Sequence, residues 1–163
     1  MTRTLVAGVG NIFLGDDGFG VEVANRLASV PTPDGVTVAD FGIRGIHLAY
    51  ELLDGYDRLI LVDAMPRGEP PGTVFIVEPD AVAPGGPADA HSMNPLSVFA
   101  HLAAIGGRPV PTLIVGCEPQ SLEDEIGLSG PVRNAVGTAV DVVLRLLDEP
   151  IGALIGDAPA IAG

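Results

Sequence analysis

The feature that most constrains this chain is the run Arg58-Leu59-Ile60-Leu61-Val62-Asp63-Ala64-Met65. Consecutive aliphatic residues without alternation describe a strand buried on both faces, and such strands belong to parallel sheets covered by helices above and below. The preceding pattern agrees, with a strand over 4–9, a helix over 18–29, a strand over 36–41 and a short helix over 46–53. Residues 66–72 then turn the chain into a strand over 73–77. Because that turn is too short for a helical crossover, the fourth strand is expected antiparallel to the third. A Pro/Gly/Ala loop over 79–90 follows, after which Asn94 and Pro95 make an N-cap and N1 pair for a helix reaching 105. A fifth strand over 111–117 and a closing helix over 131–147 complete an α/β pattern. Residues 150–163 carry no periodicity and read as a loose, flexible tail behind a single domain over 1–149.

Charge removes one class of function. A formal net charge of -13, with eight Lys plus Arg, leaves no basic stripe, so the Coulombic term behind nonspecific nucleic-acid affinity is repulsive. The apolar runs fall far short of the ~20 residues that cross a bilayer, and the first residues lack the apolar core of a signal peptide. A soluble, cytoplasmic protein without membrane insertion is therefore expected. The single cysteine, Cys117, cannot form an intramolecular disulfide, and it ends a strand without a His-Asn or His-Asp context. It reads as a core thiol.

The chemistry concentrates after the first strand, where Gly8-Val9-Gly10-Asn11 leads into Asp16-Asp17-Gly18-Phe19-Gly20. A Gly-x-Gly turn at this place usually suggests a nucleotide. Two carboxylates at the mouth of the next helix oppose a phosphate there, so a cation suits the segment better. In open α/β sheets ligands bind beyond the carboxyl ends of the parallel strands. Asp17 follows strand one, Asp63 sits near the end of strand three, and His91 precedes the helix that feeds strand five, so all three are expected at that edge. Oxygen and nitrogen ligands of this kind suit a borderline divalent ion such as zinc or nickel, with a coordination position left open. Simpler readings stand beside this one. Asp16 and Asp17 also serve as acids complementing a helix N-terminus, His91 also reads as an exposed loop histidine, and His47 and His101 as exposed or helix-packing residues.

Taken together these segments resemble the hydrogenase maturation endopeptidases, which remove a C-terminal extension from the large-subunit precursor of nickel-iron hydrogenases. The resemblance covers nearly the whole chain. It rests on the Gly8–Gly20 segment, on Leu61-Val62-Asp63-Ala64, on His91, and on Gly116-Cys117-Glu118-Pro119-Gln120-Ser121-Leu122 with Ile126-Gly127-Leu128-Ser129. It implies a three-layer α/β/α fold with a five-stranded, mostly parallel sheet of order 2-1-3-5-4, strand four antiparallel, of the phosphorylase/hydrolase-like kind. It also implies that Asp17, Asp63 and His91 are metal ligands and the catalytic centre, in an aspartic-type endopeptidase. The metal would be nickel already bound in the precursor, with no tightly held cofactor of the protein's own, although other divalent ions could occupy the site. Whether that ion polarises the scissile carbonyl, activates water or positions the substrate stays open. Asn11, Asp40 and Arg44 are the expected substrate contacts. One departure is clear: the family often carries a Gly-Thr pair after its second strand, where this chain reads Asp40-Phe41-Gly42-Ile43-Arg44-Gly45. The threonine hydroxyl is absent, a change that bears on substrate contact and fits a different partner hydrogenase. A nucleotide-binding module and a noncatalytic metal-delivery module are the alternatives.

Overall fold

The computed structural model describes residues 2–79 and 95–149. The expected loop over 79–90 from Asp80 onward, the Asn94 cap, His91 and the tail over 150–163 lie outside the described residues. Five strands form one sheet: β1 Thr4–Val9, β2 Val36–Gly42, β3 Arg58–Ala64, β4 Val74–Val77 and β5 Thr112–Cys117. Their order is β2-β1-β3-β5-β4. β1 pairs in parallel with β2 and β3, β3 in parallel with β5, and β4 antiparallel with β5. The order and the reversed β4 are those expected, and the short 66–72 turn is the reason for the reversal.

Four helices cover the sheet: α1 Phe19–Leu27, α2 Gly45–Leu52, α3 Pro95–Ala104 and α4 Gly130–Leu147. Strand alternation divides the core in two. Val6, Ile60, Val62 and Val115 pack with α1 and α4, while Leu5, Ala7, Leu59, Leu61 and Ile114 pack with α2 and α3. The double burial of β3 thus has the physical cause read from its sequence, a helical layer on each face.

Two differences from expectation position the site. The helix expected from 18 begins at Phe19, and a 3-10 turn over Gly15–Gly18 precedes it, so Asp16 and Asp17 occupy that turn and not the α-helical first turn. The glycines also act differently from a phosphate loop. Gly8 lies within β1, and a Cβ there would meet the Gly20 carbonyl oxygen and come within 2.7 Å of the Ala24 Cβ. A Cβ on Gly20 would overlap the carbonyl oxygens of Val62 and Val9. These bare positions let α1 lie directly on β1 and β3, with the 3-10 turn delivered to the carboxyl edge of the sheet.

At the opposite edge, Arg58 is 5% exposed and closes the carboxyl end of α4. Its guanidinium donates to the carbonyls of Leu146, Leu147 and Glu149 and to the Thr4 hydroxyl. A cation held against the last carbonyls of a helix satisfies orphan acceptors and complements the dipole.

Candidate active site at the carboxyl edge of the sheet

Gly10, at a φ of 137°, turns the chain out of β1, a backbone conformation that favours glycine. Its amide donates to the Gly42 carbonyl at 2.9 Å, joining the loops that leave β1 and β2. The next residues wrap around Asp17. The Asn11 amide donates to Asp17 Oδ2 at 2.8 Å, and the Asn11 side-chain oxygen accepts from the Phe13 amide at 2.9 Å. Asn11 therefore shapes the loop that holds Asp17.

Asp63 reaches the same edge from β3, its position opposite Gly116 of β5. It is half-buried. Burial, and then the neighbouring Asp17 carboxylate, push the Asp63 carboxyl well above the usual range, against a smaller opposing contribution from the Ala64 amide. Two carboxylates whose charges oppose each other at a strand end form a donor set that a divalent cation relieves, which is the fit expected of hard oxygen ligands. Among the described residues, no cluster of three or more His, Cys, Asp or Glu side chains with metal-binding potential comes together. The expected third member, His91, lies outside those residues.

Asp40 and Arg44 stand on the adjoining loop. Asp40 Oδ1 accepts from the Gly42 amide at 2.8 Å. Arg44 folds back on β2, donating to the Asp40 carbonyl at 3.0 Å and the Phe41 carbonyl at 3.2 Å. His47 and His101 are exposed, within the range expected of them. Cys117 is 0% exposed, and burial followed by Asp16 and Glu118 raises its thiol to about 12, so it is an inert core residue.

Sequence reasoning missed the role of Asp16, which is 1% exposed. Its carboxylate accepts from the amides of Gln120, Ser121 and Ser129 and from the Ser129 hydroxyl, at 2.7 to 3.0 Å. Burial alone would raise this carboxyl, but those hydrogen bonds outweigh it and hold Asp16 below the ordinary value. The segment after β5 is thereby fastened beside Asp17. Glu118 was missed in the same way: its Oε1 accepts from the Arg67 and Glu69 amides at 2.7 and 2.9 Å, tying down the turn after β3.

The fold and this edge define a class, a three-layer α/β domain with paired carboxylates where the first and third strands end. The Hydrogenase maturation protease family model matches residues 21–146. The chain is 35% identical over 150 residues to the Hydrogenase expression/formation protein HupD of Rhizobium leguminosarum bv. viciae, covering 89% of this chain and 74% of that protein. It is 34% identical over 155 residues to the Hydrogenase 2 maturation protease of Escherichia coli K12, covering 90% and 92%. The solved hydrogenase maturating endopeptidase HybD from E. coli superimposes with a TM-score of 0.76 at 33% identity, over 90% of this chain and 92% of that one. The chain belongs to the hydrogenase maturation protease family. It is a peptidase, as the resemblance implied. No helix among the described residues is long and apolar enough to cross a membrane.

Proposed function

We propose that this peptidase hydrolyses one amide bond near the C-terminus of a nickel-iron hydrogenase large-subunit precursor, after nickel insertion, in the cytoplasm. Asp17, Asp63 and His91 engage the precursor's nickel, which is part of the substrate. The observation that carries this reading is the meeting of Asp17 and Asp63 at the carboxyl edge, where each charge disfavours the other until a cation arrives. α3 supports a place for His91, because this helix leads by a short loop into β5, a parallel strand, and His91 precedes it by four positions.

Two carboxylates and an imidazole without thiolate make a modest, unselective divalent site, so the ion comes with the substrate and metal insertion is checked at the moment of cutting. The test is incubation of purified protein with nickel-loaded and nickel-free precursor, read as a mass shift. Cleavage of the loaded form alone is expected, together with no cleavage of synthetic extension peptides. Cutting of nickel-free precursor in metal-free buffer would overturn the nickel requirement. Binding of nickel-loaded precursor without any mass shift would favour the metal-delivery reading.

A further inference from the structure

Large apolar side chains are exposed selectively. Of the eight that stand out from the described surface, Ile12, Phe13, Ile43, Ile46, Leu122 and Ile126 belong to the segments following β1, β2 and β5. These three segments touch one another. Gly10 is bonded to Gly42, Leu14 forms a bridge with Glu125, and the Glu125 amide donates to the Phe13 carbonyl at 3.0 Å. The six side chains thus stand on three joined segments at the edge that carries Asp17 and Asp63, a belt of exposed apolar groups. Phe13 is 61% exposed and Ile126 75%, an exposure that costs solubility unless another surface covers it.

The charge around the belt says what kind of surface covers it. Glu123, Asp124 and Glu125 fill the stretch between Leu122 and Ile126 and are exposed. A hollow of about 310 Å³ opens beside them, lined in part by Glu125, Ile126, Leu128 and Arg133, whose guanidinium donates to the Leu128 carbonyl at 2.9 Å. Arg44, a basic group within the belt, is turned onto backbone carbonyls. A second copy of this chain would set acidic triplet against acidic triplet on molecules that each carry -13. Like charges so juxtaposed suppress association.

We propose that the belt is the docking surface for the folded body of the precursor, which presents an apolar centre flanked by lysine or arginine side chains. The inference rests on the reading of this chain as a precursor-processing peptidase. Docking through the body places the extension's attachment point at the carboxylates, so recognition is spread over a folded surface and is not confined to the cleaved sequence.

The test compares wild type with Phe13→Ser/Ile126→Ser, with Glu123→Lys/Asp124→Lys, and with Leu53→Ser as a control, Leu53 being 42% exposed at the far end of α2 from Ile46. Steady-state cleavage of nickel-loaded precursor and its direct binding on a biosensor are both measured, at low and high salt. The apolar pair is expected to raise KM at least about fivefold with kcat little changed. The charge pair should slow association and lose its salt dependence, and the control should match wild type. Wild-type KM and binding in both double variants would overturn the docking surface while leaving the cleavage reading intact. Binding that the variants weaken, with no cleavage by wild type, would uphold the surface and overturn the cleavage reading. Self-association of wild type that the variants abolish, without precursor binding, would assign the belt to a second copy and overturn the proposal.

Discussion

Asp16→Asn puts an amide among the donors of Gln120, Ser121 and Ser129, while Asp63→Asn removes a charge that burial and Asp17 both disfavour. The first change should cost about 2 kcal/mol, and the second should leave stability equal or raised. Their pH dependences run in opposite directions. The lowered Asp16 carboxyl contributes stability above its unfolded pKa of ~3.9 and loses it as pH falls through the native value, so the deficit of Asp16→Asn should close in acid. Asp63 has a raised pKa, so its contribution is complete below ~3.9 and is lost as pH rises through the native value, and the advantage of Asp63→Asn should widen upward. Thermal melts from pH 3 to 7 with chelator present check both signs. Folded Asp17→Asn and Asp63→Asn should process no precursor, and wild-type rates in either would sink the proposed centre. Cys117→Ser should process normally, and the native thiol should resist alkylation at neutral pH because burial holds it protonated. The meeting of Asp17 and Asp63 was legible because Asp63 interrupts an apolar strand near its end and Asp17 follows the end of another, which puts both at one edge of the sheet. Asp16 was not, since its partners lie 104 to 113 positions away and are mostly backbone amides, which leave no trace in a sequence.

At the scale of elements, the seat of α1 depends on two missing methyl groups. Gly20→Ala should destabilise by about 3 kcal/mol or more and displace the 3-10 turn, with loss of processing beyond the loss of folded protein. Gly137→Ala is the matched control: it lies inside α4, and a Cβ there would meet no atom closer than 3.8 Å, at Arg26. It should stabilise by about 0.5–1 kcal/mol. Chemical denaturation of both variants separates close packing from helix propensity. The sequence showed β1, β3, β5, the reversal at β4 and α4 because burial patterns and a short turn are local properties. The Gly-x-Gly segment was legible as a feature but not in its role, because contact between Gly8 and Gly20 exists only once α1 has packed on the sheet. The strand order came from the family resemblance, not from the pattern. The exposed belt left a weak signal, isolated aliphatic residues in polar loops, which gains meaning only when the loops are seen side by side.

For the whole molecule, β3 connects two ends with different duties. Arg58 at one end holds α4, and Asp63 at the other lies about 16 Å away along the strand. Arg58→Ala should therefore cost on the order of 3 kcal/mol through orphaned carbonyls and a lost side chain. Activity per folded molecule should be unchanged, as active-site titration beside a melting curve would establish. The Asp16 clasp has a consequence of another kind. Three of its four hydrogen bonds go to main-chain amides, and residues 122–126 between the clasped points take no part in it. The clasp reads the path of the chain and not its letters, so the side chains of that stretch can be exchanged like a cassette while the frame around it stays as it is.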